Sequence, residues 1–175
     1  VVCGYQHNDA FPGSHPLFAG PLGYNGSKAG MQLIKDADVV LALGTRLNPF
    51  STLPGYGMDY WPKDAKIIQV DLKPERIGLT KAVTVGIVGD AAKVANGIIG
   101  QLSATAGDAD RANRKAHIAS TKAAWDVELE AMTHEDDDPG TTWNERAREA
   151  KPQWLSPRMA WRAISAVLPK EAIIS

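Results

Sequence analysis

Two short, nearly unbroken apolar runs, Ala37-Asp38-Val39-Val40-Leu41-Ala42-Leu43 and Lys66-Ile67-Ile68-Gln69-Val70, leave few folds open to this chain. Runs of this length, rich in β-branched residues and without polar alternation, are the pattern of parallel strands covered on both faces. A third run, Val83-Thr84-Val85-Gly86-Ile87-Val88, is less regular. Parallel strands need crossover connections, and helical spacing lies between and beside the runs. From Ser27 to Lys35, Met31, Ile34 and the pair Ala29 and Leu33 share one helical face, opened by Asn25-Gly26-Ser27 as a capping region. Asp90 opens another helix, with Val94, Ile98 and Leu102 four residues apart and a carboxylate at the positive end of the helix dipole. The expected architecture is an α/β domain over residues 1–102, a parallel sheet with crossover helices.

Beyond Leu102 the texture changes. Residues 103–110 are rich in Ala, Gly, Ser, Thr and Asp, and 111–132 form an Ala-rich helical stretch with Trp125 and Leu129 on one side. Glu135-Asp136-Asp137-Asp138-Pro139-Gly140 lacks the alternating spacing of a calcium loop and reads as a solvated turn. Residues 103–155 are therefore expected to be a helical and loop linker. Ser156-Pro157 then caps a helix that runs to Pro169, and Ala172-Ile173-Ile174 resembles the first strand of a further α/β unit. With no initiator Met and an apolar last run, both ends are expected to be internal to a longer polypeptide.

The balance of 19 basic and 20 acidic residues gives a formal net charge of -1, so no global field recruits nucleic acid or an anionic membrane. Any anion site must be local. The single cysteine, Cys3, excludes an internal disulfide framework and fits a reducing compartment, here expected to be the cytoplasm. The longest apolar runs are too short to span a bilayer.

In open α/β sheets ligands bind at the carboxyl ends of the strands, and three successive strand ends carry polar groups here. Gly44 and Arg46 follow the first, where a guanidinium can fork onto phosphate or carboxylate; Asp71 follows the second, where a carboxylate receives ribose hydroxyls; Asp90 follows the third. Gly26 and Ser27 open a helix whose free amides can hold a phosphate. Together they outline a crevice of adenine-nucleotide shape, although turns and caps account for each one separately. The loop Gly4-Tyr5-Gln6-His7-Asn8-Asp9-Ala10-Phe11-Pro12-Gly13-Ser14-His15-Pro16 is dense in polar groups; its histidines are open to roles as ligands, acids or anion donors, and equally as turn-stabilising side chains.

The string from Ala10 to Ser27, with Phe11-Pro12-Gly13-Ser14-His15-Pro16 at its start, is followed in order by the Leu41-Ala42-Leu43-Gly44-Thr45-Arg46 block, by Ile67-Ile68-Gln69-Val70-Asp71 with Pro74, Ile77 and Gly78, and by Gly89-Asp90. This series resembles the middle domain of the acetolactate-synthase-like thiamine-diphosphate enzymes, densely over residues 1–102. The resemblance implies a dinucleotide-fold-like middle domain, then a linker, with 156–175 starting the C-terminal cofactor-binding domain. It implies thiamine diphosphate and Mg2+ bound outside this chain, an assembly as homodimer or homotetramer with the missing domains, and a crevice that is empty or holds ADP, CoA or FAD. Catalytic residues are expected outside this chain, with Asn8, His15 and Asn48 lining the active-site mouth.

One departure narrows the substrate. Acetolactate synthases follow Gly-x-Arg-Phe with two acidic residues and an arginine that faces the acceptor 2-keto acid, whereas this chain has Leu47-Asn48-Pro49-Phe50. A phenyl ring cannot pair a carboxylate as a guanidinium does. Together with Asn48 to Pro62, the loop His7 to Pro16 is similar to the branch of the family that cleaves sulfoacetaldehyde and passes the acetyl group to phosphate, releasing acetyl phosphate and sulfite. An acetolactate-forming enzyme and a free-standing adenine-nucleotide-binding module are the competing expectations.

Overall fold

The computed structural model describes residues 1–24, 26–102, 108–134, 157–169 and 172. In order, the elements are α1 (Lys28–Lys35), β1 (Val39–Leu43), a short α2 (Pro49–Thr52), β2 (Lys66–Asp71), a 3-10 turn (Pro74–Arg76), β3 (Val85–Val88), α3 (Ala91–Gln101), α4 (Asp108–His134) and α5 (Pro157–Val167). The three expected strands form one parallel sheet in the order β1-β2-β3, with Val39 opposite Lys66 and Ile68 opposite Val85. Two of the three expected helix caps lie among the described residues, and both are present: Ser27 Oγ accepts from the Gly30 amide at 3.2 Å and Asp90 Oδ1 from the Lys93 amide at 2.9 Å. Each satisfies a donor that the first helical turn leaves without an internal partner.

Two units of the chain pack separately, Val1–Ala124 and Trp125–Ser175. In the first, Leu22, Met31, Ile34 and Tyr60 form one apolar cluster and Ala42, Leu47 and Ile67 a second, and Val40 and Trp61 touch both. Burial of side chains such as Met31 and Val70, both fully enclosed, drives this packing. Tyr60 is also fully enclosed, which costs little because its hydroxyl donates to the Ser51 carbonyl at 3.2 Å. In the second unit, the Arg162 guanidinium of α5 makes a two-pronged ion pair with the Glu130 carboxylate, and Trp125 is buried.

Burial on both faces holds for β2 and fails for β1. On β1, Val40 and Ala42 turn inward, while Val39, Leu41 and Leu43 on the other face are 49%, 43% and 40% exposed. A continuous apolar run signals a strand that can be covered twice, but among the described residues the second face is only partly covered. The third residue of the expected α3 stripe also departs: Val94 and Ile98 are half-buried, but Leu102 lies past the helix end and is 70% exposed. Residues 103–107, the acidic run at 135–140, Asn25, Ser156 and residues 173–174 fall outside the described residues.

Candidate functional site: a cleft at the strand ends

At the carboxyl end of β1 a half-open cleft of about 670 Å3 is floored by Cys3, Leu22, Val40 and Ala42. Its polar side chains include His7, Thr45, Arg46, Asn48, Ser51, Thr52 and Arg76, and no Asp or Glu lines it. Two guanidiniums therefore share the lining with no carboxylate to neutralise them, and neither arginine is in an ion pair among the described residues. Such a cleft attracts anions and offers a planar, two-pronged donor to phosphate, sulfonate or carboxylate. Its apolar floor is suited to a ring or an alkyl chain.

Backbone geometry aims this loop. The Gly44 amide donates to the Val70 carbonyl at 2.9 Å, extending the β1–β2 ladder by one bond before the chain turns away. Leu47 takes a left-handed conformation, φ 53°, with its side chain buried and its amide donated to Thr45 Oγ1 at 3.2 Å. A leucine in that region is strained, and here its buried side chain and the threonine hold it there. Asn48 then caps α2, its Oδ1 accepting from the Ser51 amide at 3.0 Å.

Of the residues singled out by sequence, His7, Gly44, Arg46 and Asn48 line the cleft. The remaining site candidates do not. Asn8 is exposed on its loop. His15 is exposed too; its Nδ1 accepts from the Leu17 amide at 3.1 Å and its ring stands edge-on to Phe11 at 5.0 Å, so it stabilises its own turn. The amides of Gly26 and Ser27 are taken by the Gly23 and Pro21 carbonyls at 2.8 and 2.7 Å, which leaves neither free for a phosphate. Asp71 is buried, and its Oδ1 accepts from the Lys73 amide at 2.9 Å. Asp90 is committed to its cap.

Arg76 was not anticipated. It lies in the turn after β2, and the rule that directed attention to Arg46 after β1 applies to it equally. Cys3, on the floor, is buried, and burial pushes its thiol up from the ordinary value. Beside the cleft, Phe50 stacks on Tyr5 with ring centroids 6.0 Å apart, and Tyr24 meets Tyr5 edge-on at 6.1 Å.

Residues 1–98 match the family model described as thiamine pyrophosphate enzyme, central domain. Over its full 175 residues the chain is 82% identical to a sulfoacetaldehyde acetyltransferase of Roseovarius nubinhibens and 73% identical to one of Rhodobacter capsulatus. It spans only 29% and 30% of the length of these relatives. Over 94 residues, 54% of this chain, it is 36% identical to a probable acetolactate synthase large subunit of Methanocaldococcus jannaschii, of which it covers 15%.

Proposed function

The chain belongs to the thiamine pyrophosphate enzyme central-domain family, and from that premise we propose that it is an internal piece of an enzyme converting sulfoacetaldehyde and phosphate to acetyl phosphate and sulfite. The carbon–sulfur bond breaks, sulfite leaves, and the two-carbon unit ends as an acyl group on a phosphate oxygen. Thiamine diphosphate, when bound by the rest of the enzyme, supplies the carbanion chemistry. In this reading the Mg2+ belongs to the rest of the enzyme as well.

The observation that carries this reading is the strand-end loop. Similarity over all 175 residues of this chain to sulfoacetaldehyde acetyltransferases coincides with Phe50 standing where acetolactate synthases place an arginine, and that ring is 59% exposed and stacked on Tyr5. Nothing in the phenyl ring holds the carboxylate of a 2-keto-acid acceptor.

The role of these residues is to bind and orient. Arg46 and Arg76 fit an anionic group, with Gly44 and Asn48 shaping the approach. In the nucleotide form of this reading, Arg46 and Arg76 would hold the phosphates of ADP, CoA or FAD. Asn8 and His15 belong to the loop that reaches the substrate's mouth in the assembled enzyme, a homodimer or homotetramer in the cytoplasm. No helix among the described residues is long and apolar enough to cross a membrane.

The test supplies the full-length enzyme with thiamine diphosphate, Mg2+, sulfoacetaldehyde and phosphate, and measures acetyl phosphate and sulfite, with acetolactate formation from pyruvate as the parallel assay. Equal release of acetyl phosphate and sulfite is expected. Acetolactate instead would move the protein to the other branch, and neither product would reduce the reading to the family.

A further inference from the structure

A polar side chain in the middle of the central strand is the least expected residue of this sheet. Gln69 lies between Ile68 and Val70 on β2 and is 1% exposed. Its Nε2 donates to the Thr45 carbonyl at 3.0 Å and to the Arg76 carbonyl at 3.2 Å, and its Oε1 accepts from the Gly78 amide at 2.9 Å. Two acceptors face the nitrogen and one donor faces the oxygen, a set that a carboxamide meets and that neither an aliphatic chain nor a carboxylate can.

The segments it joins are the two that carry the arginines of the cleft. Thr45 immediately precedes Arg46, and Arg76 is held by its own carbonyl. Thr80 adds a second tie, its hydroxyl donating to the Arg46 carbonyl at 3.1 Å. The strained backbone at Leu47 begins two residues after the tethered Thr45 carbonyl.

We infer that Gln69 is a positioning residue, a buried clamp that draws the loops after β1 and β2 together so that Arg46 and Arg76 act on one anionic ligand. This rests on the reading of the cleft as an anion site. Gln69 touches no ligand; it acts through the backbone of both loops.

The experiment uses the full-length enzyme, with ADP as the probe and calorimetry from pH 5.5 to 8.5, on the wild type, Arg46→Ala, Arg76→Ala and Gln69→Glu. In the Gln69→Glu variant an ionised carboxylate has no donor for either carbonyl; protonated, it regains one O–H donor and keeps an acceptor for Gly78. Each arginine variant is expected to weaken ADP by about tenfold, the scale of one lost charged hydrogen bond. Gln69→Glu is expected to weaken it by about tenfold at pH 8.5 and to recover toward wild type at pH 5.5. Each value is compared with wild type at the same pH, so that any pH effect common to both proteins cancels. Hydrogen exchange at the Leu47 and Gly78 amides should follow the same pH course.

A residue that only supports the fold would lower the melting temperature and the affinity alike at both pH values, and that result overturns the inference. So does a glutamate variant identical to wild type in both readouts. If wild type fails to bind ADP, or the arginine variants bind it normally, the anion reading falls, and exchange at Leu47 and Gly78 still decides whether Gln69 holds the loops. Should Gln69→Glu not fold, Gln69→Asn keeps the carboxamide but withdraws it by one methylene. It is expected to show the same loss without recovery at low pH, and unchanged loop protection in it would overturn the clamp.

Discussion

Replacing Gly23 by alanine is expected to separate the two loops that frame the cleft. Gly23 has φ +80°, and a Cβ there would lie 1.7 Å from the Phe50 carbonyl oxygen and 2.7 Å from Ser51 Cα. The contact is with backbone, so no side-chain rotation relieves it. The left-handed conformation costs an L-residue about 1–2 kcal/mol. To clear the overlap, α2 must move away, and the Tyr24 amide then loses the Phe50 carbonyl, the Tyr60 hydroxyl loses the Ser51 carbonyl, and the Tyr5 amide loses Ser51 Oγ. At about 1 kcal/mol for each bond, the total comes to roughly 4–5 kcal/mol. With a urea slope of about 1–3 kcal/mol per molar, the midpoint falls by about 2 M. Urea unfolding followed by tryptophan emission measures this. Gly57→Ala is the matched control, because Gly57 has φ +71° with no atom within 4 Å of its added Cβ, and so carries the conformational cost alone. Equal midpoint shifts for the two variants would show that the approach of Gly23 to Phe50 does not hold the loops together.

Asp90→Ala removes the cap of α3 and is expected to cost about 1 kcal/mol, read as a lower unfolding midpoint with native circular dichroism retained. Gly97→Ala, inside α3 with open space around the new methyl group, is expected to raise stability by about 0.5–1 kcal/mol in the same assay. Burial raises the pKa of both Cys3 and Tyr60, so the folded state holds these protons more tightly than the unfolded chain. Their contribution is fully present below the ordinary thiol value of about 8.5 and is lost as pH rises through the raised values; Tyr60→Phe should flatten the alkaline end of a stability-against-pH curve. The same burial makes Cys3 slow to react with a thiol reagent until urea unfolds the protein, and prompt labelling of the native state would contradict its placement.

How legible these features were depends on the range over which each acts. The strands and helices were readable because apolar runs and four-residue spacing are local signals, and Ser27 and Asp90 declared their helix starts through the same short side chains that accept from the first turn. The open face of β1 was not readable, because Leu41 and Leu43 look alike in sequence whether or not another layer covers them. Asp71, Asp90 and Asn48 illustrate a second limit: the side chains suited to hold a ligand are those that close turns and cap helices, and all three are engaged in that way. Gln69 escaped notice because its partners lie 24, seven and nine residues away, and in an apolar run it reads only as an interruption. Arg46 is found by a strand-end rule, whereas after the second strand the same rule stops at Asp71 and misses Arg76 five residues further on.

The bare side of β1 also bears on how the molecule behaves at high concentration. Val39-Val40-Leu41-Ala42-Leu43 contains no charge, proline or glycine, and β1 is the terminal strand of the sheet among the described residues. An uncharged border strand of this kind is a template for pairing with a like segment of another molecule. Asp36 and Asp38 stand immediately before it and Arg46 shortly after, the flanking positions at which charges oppose such stacking. With Leu41 and Leu43 partly open, those three charges stand as the barrier to aggregation.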